Sequence, residues 1–302
     1  MRLPCAPSQT GLRHRSRDDT FFPMTAPAAD RAKAATIVLV GCGQMGGAML
    51  RGWLAGNAAA ACLVVEPAKV PEDLADARDV SWFSGAGELP AVLAPDAVVF
   101  AVKPQVIDDA LPPYRRFVRP QTLFLSIAAG TTIARLAHHL GAGAAIVRAM
   151  PNTPAAIRRA ITVACPNAQV GDGQRRLCDR LLAAIGESTW VADEALMDAV
   201  TAVSGSGPAY VFLLIEALAA AGERVGLSAD LALRLARATV AGAGELALRS
   251  PDPPARLREA VTSPGGTTRA ALDVLLGEAG GLPQLIGRAV AAATRRSREL
   301  AG

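Results

Sequence analysis

The most constraining feature of this chain is a turn. The β-branched run Thr36–Val40 stops at Gly41-Cys42-Gly43-Gln44-Met45-Gly46, and an Ala- and Leu-rich stretch, 47–55, follows at once. A G-x-G-x-x-G string means little alone, but between a strand and a helix it predicts a dinucleotide site. Gly41 permits the turn, Gly43 lets the backbone approach a pyrophosphate, and Gly46 lets helix and strand pack closely. The helix start offers free N–H groups and the positive end of its dipole to phosphates.

Further apolar runs at 63–65, 97–102, 122–127 and 145–148 alternate with Ala- and Leu-rich stretches of helical spacing. That alternation predicts a Rossmann-type, doubly wound parallel sheet. Residues 161–165 and 188–191 would add edge strands around a helix at 169–185. After about residue 193 the texture changes. Leu, Ala and Val recur at helical spacing through 208–225, 229–248, 267–277 and 282–300, broken by Gly and Pro. The expected fold class is therefore α/β, with an all-α C-terminal dimerisation domain. The expected divisions are 1–33, a dinucleotide domain at 34–192, and a helical dimerisation and substrate domain at 193–302.

Residues 211–215, Val-Phe-Leu-Leu-Ile, are apolar all round, which points to burial on several sides. About 110 residues in a few helices cover such a surface poorly alone. Packing on the chain's own first domain is one answer; a dimer of intertwined helices is the favoured one.

Two carboxyl-end positions extend the cofactor site. Glu66 ends the second run, 20 residues after Gly46. An acid there ordinarily accepts ribose hydroxyls and favours NADH, while nearby Arg51 and Lys69 could offset repulsion of a 2′-phosphate. NADH and NADPH both stay open. Ala101-Val102-Lys103-Pro104 closes a strand at its carboxyl end, where ligands sit in open α/β sheets.

Residues 262–268, Thr-Ser-Pro-Gly-Gly-Thr-Thr, form the second candidate loop. Proline and two glycines shape the turn, and hydroxyl residues are expected to cap the helix after it. Such a turn aims several N–H groups one way, which suits a carboxylate. Residues 140–302 contain no Lys and no His. An alcohol dehydrogenase moves a proton at oxygen and usually needs such a group. A protonated imine is already an electrophile, so the absence turns the reading toward imine reduction.

Composition excludes other classes. Six basic and three acidic side chains in residues 1–33 supply three of the four net positive charges, so the body is nearly neutral. With 4% aromatics it lacks the basic, aromatic face of a nucleic-acid binder. No apolar run reaches the roughly 18–20 residues that a membrane span needs. Five cysteines without a C-x-x-C pair, and three histidines, argue for a reducing cytoplasm and against a metal site. Residues 1–33 read as a disordered tail or a start placed too early, with Met24 the natural start; a transit peptide stays open.

Six strings resemble the pyrroline-5-carboxylate reductase family: 40–46, Ala-Val-Lys-Pro-Gln at 101–105, Ser-Ile-Ala-Ala-Gly at 126–130, Met-Pro-Asn-Thr-Pro at 150–154, Asp-Ala-Val-Thr-Ala-Val-Ser-Gly-Ser-Gly-Pro-Ala-Tyr at 198–210, and 262–268. They run in order from about residue 36 to 300. The resemblance implies NADPH- or NADH-dependent reduction of (S)-1-pyrroline-5-carboxylate to L-proline by dimers that often assemble further into decamers. It implies that Gly43, Gln44, Met45, Val102, Lys103 and Ala128 line the cofactor. Thr268 would hydrogen-bond the imine nitrogen as the catalytic hydroxyl. Ser263, Gly265, Gly266 and Thr267 would hold the substrate carboxylate, with Glu194 as a substrate-side acid. Two positions depart from the pattern: Glu66 replaces a small polar residue, and Ala260 stands where some members have Asn. The nearest rival, a β-hydroxyacid dehydrogenase, requires a lysine that 204–223 lacks. A non-catalytic redox sensor would not need the 262–268 loop, and the ring size of the imine is not legible.

Overall fold

A computed structural model describes residues 35–301, so the reading of 1–33 lies outside the described residues. The strands are β1 (Thr36–Val40), β2 (Ala61–Val65), β3 (Val80–Phe83), β4 (Ala97–Phe100), β5 (Leu123–Ser126), β6 (Ala145–Met150), β7 (Ala160–Pro166) and β8 (Gly186–Trp190). They form one sheet in the order β3-β2-β1-β4-β5-β6-β7-β8. The first six are parallel. β7 turns back antiparallel to β6, and β8 runs parallel to β7. The sheet is thus not wholly parallel as expected. Only a short 3₁₀ turn, Thr153–Ile157, stands between β6 and β7. A parallel crossover needs a dozen or more residues, so the chain doubles back.

The edge strand β3 is absent from the sequence expectation because all four of its residues are half-buried or exposed, which weakens its pattern. Crossover helices are also fewer than expected. α1 (Gln44–Gly56) follows β1, α3 (Ile133–Leu140) follows β5, and α4 (Asp172–Ala183) follows β7. Elsewhere in the sheet half the chain uses 3₁₀ turns and one short helix, α2 (Ile107–Ala110). Prolines at 67, 71, 90, 95, 112 and 113 prevent longer helices there.

Successive strand residues point to opposite faces, and each face builds its own core. Ile37, Leu39 and Val99 pack with Met49, Leu50 and Trp53 of α1 and Leu181 of α4. The Trp53 Nε1–H donates to the Leu181 carbonyl at 2.9 Å, tying the two helices. Val38, Val98 and Phe100 pack on the other side with Tyr114, Phe117 and Phe124. Cys42, Cys62 and Cys178 are free thiols buried in the first of these cores, and Cys165 is free and buried in a small separate cluster with Val163 and Met197.

The helical half comprises α5 (Met197–Val200), a π-helical turn at Thr201–Gly205, α6 (Gly207–Arg224), α7 (Ala229–Arg249), α8 (Pro254–Ala260), α9 (Thr267–Leu275) and α10 (Leu282–Ala301). All but the short α5, the π turn and α8 match sequence expectations to within a few residues. Its burial does not resemble a domain core. In α6 and α7 only the alanines Ala219, Ala232 and Ala236 are buried. Phe212, Leu213, Leu246 and Val274 are 56%, 63%, 57% and 78% exposed. No residue of α8 or α9 is buried. By length and hydropathy alone the helical stretch Glu194–Arg224 is long and apolar enough to cross a membrane. The π-helical turn at Thr201–Gly205 and Pro208 lie within it.

Candidate active site

The glycine loop lies at the carboxyl edge of the sheet and fits a pyrophosphate. Gly41 adopts φ +88, a conformation that favours glycine. A Cβ on Gly46 would stand 2.3 Å from the Gly41 carbonyl oxygen, so only hydrogen fits. Gly43 is different: a Cβ there would meet nothing within 4 Å. Its place at the N-cap of α1 leaves open space where a ligand would come. Among the described residues no group accepts from the N–H of Gly43, Gln44, Met45 or Gly46. These free donors at a helix start are an anion site in waiting.

A cleft of about 560 Å³ opens beside the loop, lined by Gly41, Gly43, Glu66, Ser84, Val102 and Lys103 among others. Gln44 and Met45 line a second hollow of about 510 Å³, together with Arg51 and Thr153. The structure thus brings most of the expected cofactor residues around one turn. Ala101 and Pro104 are half-buried supports: the Ala101 N–H donates to the Val40 carbonyl, and Pro104 opens a 3₁₀ turn. Ala128 is buried in the core and lines neither cleft. Its N–H instead donates to the Ser126 hydroxyl at 3.3 Å.

Glu66 is more constrained than its sequence position suggests. One carboxylate oxygen accepts the Cys42 N–H at 2.7 Å and the other the Ala68 N–H at 2.9 Å. Burial pushes the Cys42 thiol up to about 11, and the Glu66 charge adds to the effect. The two neighbouring cations are already paired. Arg51 grips Asp73 through two bonds of 2.6 and 2.8 Å, and Lys69 meets Glu72 at 2.7 Å.

Glu194 is held at the join between sheet and helices. Its Oε1 accepts from the Arg148 guanidinium at 2.9 Å and from the Ile133 N–H at 2.8 Å. Arg148 is buried on β6 and also faces Asp198 at 3.9 Å. The Ser297 hydroxyl of α10 donates to Asp198 at 2.7 Å. The sequence reading contains no role for Arg148, because an arginine in a strand run carries no local signal.

The π turn brings two distant strings together. The Asn152 Nδ2–H donates to the Ser204 carbonyl and hydroxyl at 3.4 and 3.3 Å, while its Oδ1 accepts the Ile161 N–H at 3.1 Å. The Tyr210 hydroxyl donates to the Ala202 carbonyl at 3.0 Å, so its proton is already engaged. Asn152, Ile161, Ser204 and Tyr210 border a hollow of about 570 Å³.

The 262–268 turn has the expected shape with a different cap. Gly265 adopts φ +69, and the Gly266 N–H closes onto the Ser263 carbonyl at 3.1 Å. Proline second and a positive-φ glycine third are the signature of a type II turn. Gly266, not a hydroxyl residue, is the N-cap of α9, and the helix starts at Thr267. The expected hydroxyl cap is thus corrected, and the Gly266 N–H is already used within the turn. Among the described residues nothing accepts from the N–H of Thr267, Thr268 or Arg269. Thr268 is half-buried, and Ser263, Gly265 and Thr267 are exposed.

The description "Pyrroline-5-carboxylate reductase dimerisation" fits residues 194–300, and "NADP oxidoreductase coenzyme F420-dependent" fits residues 36–130. Over 211 residues the chain is 46% identical to a pyrroline-5-carboxylate reductase of Pseudomonas aeruginosa, covering 70% of this chain and 77% of that one. This chain belongs to the pyrroline-5-carboxylate reductase family. A solved family member from Coxiella burnetii superposes with a TM-score of 0.81 at 34% identity, over 89% of this chain and all of that one. A Plasmodium falciparum pyrroline carboxylate reductase, solved with NADP bound, gives 0.77 at 29% identity, over 89% and 98%. The matched dimerisation region takes in the bare faces of α6 to α10.

Proposed function

We propose that this chain reduces (S)-1-pyrroline-5-carboxylate to L-proline, with NADH or NADPH as donor, and that each active site is shared between two chains. The observation that carries the reading is the pair of helix starts with free N–H groups, one at the glycine loop and one at Thr267. The first suits a dinucleotide pyrophosphate and the second a small carboxylate.

Bound nicotinamide supplies the hydride. The residues of this chain supply position and charge. The N–H groups of Gly43, Gln44, Met45 and Gly46 would hold a bound pyrophosphate, and Lys103 stands at the end of β4 on the same edge. The N–H groups of Thr267, Thr268 and Arg269 receive the substrate carboxylate, favoured by the dipole of α9. The Thr268 hydroxyl oxygen would accept the N–H of the protonated ring nitrogen and steady it as hydride adds to the imine carbon, which yields the neutral amine. Glu194, already bound to Arg148, adds negative charge near a cationic iminium.

The loop comes from the partner in this reading. On its own chain the 262–268 turn is largely exposed and α8 and α9 bury nothing, so the site needs a second copy. The same bare surface supports a dimer over a membrane location, and further assembly into decamers extends the reading. Four buried, unpaired thiols support a reducing cytoplasm. Purified full-length protein should oxidise NADH or NADPH only when pyrroline-5-carboxylate is present, releasing one proline per nucleotide. Nucleotide oxidation without proline would overturn the assignment.

A further inference from the structure

We infer that this chain is selective for NADH, and that Glu66 is the residue that excludes the 2′-phosphate of NADPH. The inference rests on the proposed placement of the dinucleotide along the glycine loop.

In that placement the adenosine ribose meets the carboxyl end of β2, where Glu66 stands. The carboxylate is not free to swing aside. Both oxygens are pinned by backbone N–H groups, at 2.7 Å from Cys42 and 2.9 Å from Ala68. Each oxygen keeps a lone pair, so a ribose hydroxyl can donate to it. A phosphate ester there would instead bring a near-dianion against a fixed anion.

Among the described residues, the cations flanking that strand end are already paired. Arg51 and Lys69 flank this strand end, and each is matched by its own carboxylate, Asp73 and Glu72. The next strand end offers a second acid. The Glu66 N–H donates to the Phe83 carbonyl, which places Ser84 alongside, and Ser84 gives both its N–H and its hydroxyl to Glu88. A serine that could have met a phosphate is therefore already committed to a carboxylate. Lys103 lines the same cleft, but it follows β4, two strands from β2. At strand spacing that is about 10 Å away, a distance screened in water at physiological salt.

The test is a fluorescence titration of the full-length protein with NADH and with NADPH, without pyrroline. NADH should bind more tightly by roughly 10- to 100-fold. Glu66→Ser should narrow or reverse that ratio. NADPH binding as tightly as NADH to the wild-type protein would overturn the inference and leave the proposed reaction intact. A Glu66→Ser protein that folds and keeps the wild-type ratio would also overturn it. If that variant does not fold, competition settles the matter on the wild-type chain: 5′-AMP should displace NADH at lower concentration than 2′,5′-ADP, and the reverse order refutes the inference. Binding of neither nucleotide would overturn the dinucleotide reading itself, and this inference with it.

Discussion

Buried Arg148 on β6 holds the carboxylate of Glu194, just ahead of the helical half, at 2.9 Å. The pair ties a sheet with its own core to helices that have almost none. Arg148→Met keeps much of the volume but leaves Glu194 and Asp198 without their shared cation. The folded state should lose about 2 kcal/mol. Arg148→Lys keeps the charge but not the fork and should recover part of it. Urea denaturation of both variants measures the effect; midpoints equal to wild type would mean that the Ile133 N–H alone suffices to hold Glu194.

The two glycines of the phosphate loop should fail differently. Gly46→Ala pushes a methyl into the Gly41 carbonyl and should lower both thermal stability and nucleotide affinity. Gly43→Ala meets no protein atom within 4 Å, so its melting temperature should stay close to wild type. Its nucleotide affinity should still fall by at least about tenfold, because the methyl fills the space left for the pyrophosphate. Equal melting temperatures for the two variants would contradict this account of the loop.

A site shared between chains predicts complementation. Gly46→Ala disables the dinucleotide loop, and Thr268→Ala disables the substrate turn. If the turn is contributed by the partner, each mixed dimer contains one intact site, and an equal mixture reassembled at random should recover about a quarter of wild-type turnover. If each chain uses its own turn, the mixture stays inactive. Unfolding and refolding the two variants together, then assaying proline formation, decides between the arrangements.

The buried thiols set a limit on alkaline stability. Burial, aided by Glu66, pushes Cys42 up to about 11, and burial, aided by Asp79, pushes Cys62 up to about 12, from an ordinary 9.0. Burial raises Cys165 and Cys178 as well. Below pH 9 these thiols are neutral in both states, and their contribution to stability is intact. Between that pH and 11 to 12 the unfolded chain releases protons that the folded chain keeps, so the contribution is progressively lost. The melting temperature should fall across pH 9 to 11, and less steeply in a Cys42→Ala, Cys62→Ala double variant. An unchanged pH slope in that variant would show that other groups, such as buried Tyr114, carry the effect.

Much of this protein is legible along the chain because its chemistry is local. A strand that ends in Gly41, Gly43 and Gly46 already dictates a turn, a close approach and a helix start. The helical half is readable from a period of 3.6, and the 262–268 turn from one proline and two glycines. What the sequence leaves open is whatever depends on groups far apart in the chain. β7 reverses because its connection from β6 is too short for a crossover, a consequence visible only once β6 is placed. Arg148 gains its role from Glu194, 46 residues away, and Asn152 from Ser204, 52 residues away. Glu66 leaves either nucleotide open along the chain, and only in space are Arg51 and Lys69 paired with Asp73 and Glu72. Charge and hydrogen bonding act over a few ångströms in space, so only the tertiary structure decides which donors and cations are already spent.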